Sequence, residues 1–230
     1  MEVKILGTKG EIDQSLPRHS KQSGILIDRV LLLDLGEKQY LKCHPKWILI
    51  THLHPDHAYF VRLGQEENPM TKAEIFGPES LGNTVHTLKR KRKLGPYTII
   101  PISTHHSVHV KSQAYVIEKG GKSILYTGDV VWIDKKYHRY FKVDLVITDG
   151  SFLRLGGMVR KDQKTKKLFG HTGIPNLIRL FQPHAKKILF VHFGTWFFRN
   201  PKESRQKLLA LGKQNHIETL VGYDGLKLHL

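Results

Sequence analysis

The segment Thr51-His52-Leu53-His54-Pro55-Asp56-His57 places four metal-ligating side chains in seven residues, directly after the apolar run Trp47 to Ile50. With 15 His and 10 Asp in 230 residues, His-x-His-x-Asp-His would arise by chance in only about 3 of every thousand such chains, so it is read as chemistry. Alternate side chains of an extended segment share a face, which directs His52 and His54 to one ion, while Asp56 and His57 turn toward a second. Imidazoles joined by a hard carboxylate suit zinc, and also manganese or iron, over calcium and magnesium. A two-metal site then needs further ligands, a bridging carboxylate among them, at the C-terminal ends of later strands.

The candidates occur in order. Asp129 closes the run Ser123 to Asp129 (SILYTGD), which turns at Gly128, and His192 follows the apolar run Ile188 to Val191. One more ligand is needed between Asp56 and Asp129, and Thr104 to Val110 (THHSVHV) offers His105, His106 and His109.

In order and spacing these pieces resemble the metallo-β-lactamase superfamily, in the branch that holds RNase Z and the cyclic phosphodiesterase of phosphonate breakdown. The resemblance runs nearly end to end. It takes in Leu6-Gly7-Thr8, the strand Leu31-Leu32-Leu33-Asp34, the His52 to His57 motif, HSVHVKSQAYVIE, YTGD, Phe169-Gly170-His171-Thr172 and Val191-His192-Phe193. It implies an α/β fold, the four-layer αββα sandwich of two mixed β-sheets flanked by helices. It also implies that Asp34 orients ligands without binding metal, that His106 is the third ligand of the first ion, that Asp129 bridges, and that His171 assists the chemistry without touching metal. A homodimer would be usual for the family. Two departures stand out. The arm with which RNase Z grips tRNA has no room in the 23-residue step from His106 to Asp129, and the cysteine-bound structural zinc of the phosphonate enzyme cannot form around one cysteine, Cys43.

The chain is long enough to bury a full core as one domain, residues 1–230. Its opening Met1 to Leu6 reads as a strand without the apolar stretch of a signal peptide, no run reaches membrane-span length, and a lone cysteine suits a reducing compartment. These features lead to the expectation of a cytoplasmic protein that makes no membrane contact. The charge is the second guide: 37 Lys and Arg against 20 Asp and Glu give +17, which suits a polyanionic partner. Two clusters concentrate it. Lys89, Arg90, Lys91, Arg92 and Lys93 are consecutive, while Arg154, Arg160, Lys161, Lys164, Lys166 and Lys167 crowd the approach to His171. These residues, Arg154 apart, are the candidate nucleic-acid contacts.

The pattern predicts strands over Val3–Leu6, Gly24–Ile27, Val30–Asp34, Trp47–Thr51, Glu74–Phe76, Tyr97–Ile102, Gln113–Glu118, Ser123–Tyr126, Leu145–Thr148, Lys187–Val191 and Thr219–Val221. It predicts helices over Pro78–Lys93, Ile174–Phe181 and Pro201–Gln214. Gly150 to Arg160, with Gly156-Gly157, reads as a mobile loop near the site, either a lid or a plain connection. Trp196, Phe197 and Phe198 read as packing residues more than as a stacking platform for a base.

The constellation then assigns His52, His54 and His106 to one divalent ion, Asp56, His57 and His192 to the other, and Asp129 to both. Zn2+ is the expected metal, with Mn2+ or Fe2+ as alternatives. Between ions about 3.5 to 4 Å apart, hydroxide is the nucleophile. Asp34 accepts the distal N–H of a ligand histidine, and Asp56 and His171 are the candidate catalytic residues, His171 serving the leaving alkoxide. The expected activity is a phosphodiesterase acting on RNA or another nucleic acid. The alternatives are hydrolysis of a small ester, thioester, lactone or cyclic phosphate, and non-catalytic nucleic-acid binding.

Overall fold

The computed structural model describes all 230 residues. Short runs rich in leucine and β-branched residues, each cut by Gly, Asp or Pro, build β1 (Glu2–Gly7), β2 (Gly24–Ile27), β3 (Leu31–Leu33), β4 (Trp47–Leu49), β5 (Glu74–Gly77), β6 (His86–Thr87), β7 (Arg92–Leu94), β8 (Tyr97–Thr104), β9 (Ser112–Lys119), β10 (Lys122–Tyr126) and β11 (Leu145–Asp149). There follow β12 (Met158–Lys161), β13 (Leu168–His171), α1 (Ile174–Phe181), β14 (Lys187–Val191), α2 (Thr195–Arg199), α3 (Pro201–Gln214), β15 (Glu218–Val221) and β16 (Lys227–His229). Two seven-stranded mixed sheets result, ordered β16-β1-β2-β3-β4-β5-β6 and β15-β14-β11-β10-β9-β8-β7. No helix is long and apolar enough to cross a membrane.

Strand alternation produces the layers. Val3, Ile5, Leu31 and Leu33 of the first sheet meet Ile99, Tyr115, Ile117, Tyr126 and Ile147 of the second in one buried cluster. The opposite face of the second sheet (Val116, Leu125, Val146, Phe190) packs on Ile174, Leu177, Ile178 and Phe181 of α1, Phe197 of α2 and Leu208 of α3. The opposite face of the first sheet (Leu6, Leu32, Ile48, Ile75) is covered differently. Its roof is two 3-10 turns, Lys38–Cys43 and Tyr59–Val61, which contribute Tyr40 and Phe60.

One expected helix is replaced. Leu81, Val85 and Leu88 have helical spacing, but residues 78–93 form a turn and the short strands β6 and β7. Gly82 takes a left-handed φ of 49° that closes a Leu81–Val85 bridge. Val85 then enters the cluster outside the first sheet, whereas Leu88 enters the cluster between the sheets. A single helical stripe cannot serve two cores on opposite faces of a sheet. Residues 150–160 are also more ordered in form than the expected loop. They turn at Gly156 and Gly157 into β12, which pairs with β13 as a two-stranded ribbon separate from both sheets.

Candidate metal centre

In the second sheet β10, β11 and β14 are parallel, so their C-terminal ends share one edge. Asp129 follows β10, Asp149 ends β11 and His192 follows β14. The first sheet contributes the segment after β4, and the β8–β9 loop contributes His106. The seven expected metal ligands therefore meet at one edge of the sandwich, six of them buried and His54 partly so.

They form two groups with ligand atoms within 4.8 Å of one another: His52, His54 and His106, and Asp56, His57, Asp129 and His192. Asp129 lies between them. Its Oδ1 is 3.2 Å from His57 Nε2 and 3.3 Å from His192 Nε2, while its Oδ2 is 3.6 Å from His106 Nε2 and 3.8 Å from His52 Nε2. His105 and His109, the rivals of His106, turn elsewhere. His105 Nε2 meets Asp134 at 3.1 Å, and His109 is exposed.

The second ring nitrogens explain why the ligand atoms converge. His106 Nδ1–H donates to the Gly170 carbonyl (2.8 Å), which leaves its Nε2 lone pair 3.3 Å from His54 Nδ1. His52 Nδ1–H donates to Thr51 Oγ1 (3.1 Å), and that hydroxyl donates to Asp34 Oδ2 (2.9 Å). Asp34 also accepts from Thr51 N, from the Tyr126 hydroxyl and from His57 Nδ1–H, each at 2.7 Å. His192 Nδ1–H donates to Ser151 Oγ at 2.9 Å. Thr51 is thus the hub beneath the site, and Gly128 has to lack a side chain because a Cβ there would stand 2.5 Å from Thr51 Oγ1. Asp34 (φ 57°) and His192 (φ 55°) both hold left-handed backbone, a cost that functional sites tolerate.

Divalent cations fit this chemistry. His52 Nε2 and Asp129 Oδ1 are buried and lack any hydrogen-bond partner, although both face the site. Four carboxylates, Asp34, Asp56, Asp129 and Asp149, are buried around it and require compensating positive charge. That demand appears in the titration. Burial opposes charge on His57 and His192, yet Asp129, Asp56 and their hydrogen-bonded neighbours outweigh it and hold both well above the ordinary histidine value. Burial instead dominates at His52 and His106, pushing His52 well down and His106 to about 4, so these rings are neutral and free to ligate.

Asp149 escaped the sequence reading. Its Oδ2 accepts His171 Nδ1–H at 2.7 Å and its Oδ1 accepts Ser151 N–H at 2.8 Å. The available signal was close to the one that picked out Asp129, an aspartate beside a glycine at the end of an apolar strand. His171 is in β13 at the rim, its Nε2 3.9 Å from Asp129 Oδ2. Asp149 and Asp129 raise its pKa against the lowering effect of burial. A pocket of about 300 Å³ opens over these groups, walled by Ile12, Phe152 and Met158. Phe197 is fully buried, and Trp196 Nε1 donates to the Gly150 carbonyl, so the aromatic run serves packing. Of the basic candidates, Arg92 pairs with Glu74 (3.8 Å) over the Phe76 ring, and Lys89, Arg90, Lys91 and Lys93 are exposed. Arg160, Lys161, Lys164, Lys166 and Lys167 are exposed on the ribbon and its turn.

No family model and no curated protein sequence matches the chain. Solved structures do. The metallo-β-lactamase fold protein YhfI from Bacillus subtilis superposes with TM-score 0.68 at 17% identity, over 99% of this chain and 98% of that one. A new diphosphatase from the PhnP family gives 0.67 at 15%, over 100% and 97%. Human tRNase Z, short form, gives 0.62 at 16%, over 100% and 99%. The chain has the metallo-β-lactamase fold, and its clustered histidines and aspartates lie at one edge of that sandwich.

Proposed function

We propose that the protein is a metal-dependent phosphodiesterase of the RNase Z-like branch, acting on RNA or another nucleic acid. His52, His54 and His106 would hold one divalent ion, Asp56, His57 and His192 a second, with Asp129 shared; the nitrogen-rich donor set favours zinc. When bound, such a pair supplies Lewis acidity and concentrated positive charge at the phosphate.

The observation that carries the reading is the Asp149–His171 pair. Asp149 fixes the ring through Nδ1, so Nε2 faces the pocket and is the only nitrogen able to give up a proton there. Against burial, the Asp149 and Asp129 charges raise its pKa, which favours the protonated ring. Hydrolysis of a phosphodiester forms a P–O bond to water and breaks the one to an alkoxide, a poor leaving group that takes the Nε2 proton as it departs. Asp149 stabilises the charged ring before transfer, and Asp34 keeps His57 in register.

The test is turnover of metal-loaded protein on a single-stranded RNA, on bis-p-nitrophenyl phosphate, and on a thioester and a lactone. Phosphodiester hydrolysis above the other two classes is expected. Faster thioester or lactone hydrolysis would replace this reading with a small-ester hydrolase.

A further inference from the structure

A second groove, of about 490 Å³, lies beside the metal pocket and shares no lining residue with it. The two are neighbours all the same, because His105 and Ser107 line the groove while His106 between them lines the pocket. Three lysines converge on it from segments far apart in sequence: Lys89 from the crossover between the sheets, Lys111 from the β8–β9 loop and Lys167 from the ribbon. All three are exposed, and no carboxylate lies within ion-pair distance of any of their ammonium groups. Elsewhere Lys119, Lys186 and Lys187 are neutralised by Asp28, Asp144 and Glu218. The one acidic side chain of the groove, Glu79, spends an oxygen on the Lys111 backbone N–H at 2.9 Å. Tyr137 adds an aromatic side chain to the lining.

Three unpaired cations lining one groove, with an aromatic ring beside them, suit a strand whose phosphates repeat and whose bases can stack. We infer that this groove carries the phosphate backbone of a single-stranded nucleic acid, leading away from the His106 side of the metal pocket over Lys89, Lys111 and Lys167. The inference rests on the phosphodiesterase reading and extends it by naming single-stranded substrate and the path of its flank. The two basic clusters act together because the fold brings one member of each, and Lys111, to the same groove.

The experiment measures anisotropy of a labelled, cleavage-resistant 2′-O-methyl oligouridylate bound to the metal-loaded protein across a salt series. It compares wild type with Lys89→Gln/Lys111→Gln/Lys167→Gln and with a control of equal charge loss at distant exposed lysines, Lys42→Gln/Lys122→Gln/Lys213→Gln. The groove variant is expected to bind at least about tenfold more weakly at low salt, and its slope of log K against log salt should shrink by about 2, near 0.7 per phosphate contact. Equal weakening of the control, an unchanged groove variant, or tighter binding of a duplex than of the single strand overturns the inference. Wild-type hydrolysis of bis-p-nitrophenyl phosphate is measured in parallel. If it proceeds while the groove variant binds normally, only the groove assignment falls; if it is absent, the phosphodiesterase reading falls whatever the groove binds.

Discussion

Asp149 Oδ2 lies 2.7 Å from His171 Nδ1, and Asp149 Oδ1 is occupied by Ser151 N–H at 2.8 Å, so one buried carboxylate fixes both the tautomer and the direction of the histidine that faces the pocket. Asp149→Asn should keep both metals and lower RNA turnover about a hundredfold, with His171→Ala costing about a hundred- to ten-thousandfold. The defect should be smaller on bis-p-nitrophenyl phosphate, whose leaving group needs little protonation. The pH profile carries the sign. With His171 as proton donor, activity should be lost as pH rises through its raised pKa, and removing the Asp149 charge should move that alkaline limb to lower pH. Equal defects on both substrates with an unmoved limb would rule out proton donation by His171.

Metal content discriminates the ligand set. Elemental analysis of loaded protein should give two transition-metal ions per chain, and Asp129→Ala should reduce that number because Asp129 faces both groups of ligand atoms. His106→Ala should lose an ion whereas His105→Ala and His109→Ala keep both. The opposite pattern would transfer the ligand role to a neighbour.

Chelation should also lower stability, since a ligand that binds only the folded chain stabilises it by mass action. At metal concentrations about 100-fold above Kd the effect is about 2.7 kcal/mol for each ion. Scanning calorimetry with and without chelator should show a clear fall in Tm, and Asp129→Ala should respond much less.

His19, a buried histidine outside the ligand set, makes a prediction free of metal. Arg205 donates to His19 Nε2 at 2.6 Å, so the ring proton is on Nδ1 and goes to Thr8 Oγ1 (2.9 Å), which donates in turn to Asp224 (2.8 Å). Burial first, and then the Arg205 charge, depress the pKa of His19 to about 4. Protons are then taken up more readily by the unfolded chain, so this contribution is intact above pH ~6.5 and is lost as pH falls toward ~4. It amounts to at most about 3 kcal/mol. Denaturant titrations of wild type and His19→Gln should diverge over that window, and parallel curves would show that His19 does not titrate there.

The base of the ribbon is sensitive to a single methyl group. Gly157 has φ 60°, and a Cβ there would collide with the His171 carbonyl and the Thr172 backbone. Gly157→Ala should cost about 2 kcal/mol or more and disturb His171. At Gly156, also left-handed (φ 78°) but facing open space, alanine should cost about 1 kcal/mol. Equal costs would mean that strain rather than collision decides.

The local chemistry of this protein is legible in its sequence. His52, His54, Asp56 and His57 are adjacent, Asp129 and His192 each follow an apolar strand, and α1 and α3 occur within the limits that proline placement and apolar spacing predict. The misses that matter for the site were long-range. Leu81, Val85 and Leu88 have helical spacing, but only the sandwich reveals that Val85 and Leu88 serve opposite faces of a sheet. Asp149 carries no more local signal than any strand-ending aspartate, and gains its role because parallel pairing of β11 and β14 sets it beside His192 and the ribbon returns His171 to it. Lys89, Lys111 and Lys167 likewise become one surface only when the sheets stack. Spacing along a chain determines which groups can share a turn or a face, whereas proximity between strands depends on register and packing, which are properties of the whole fold.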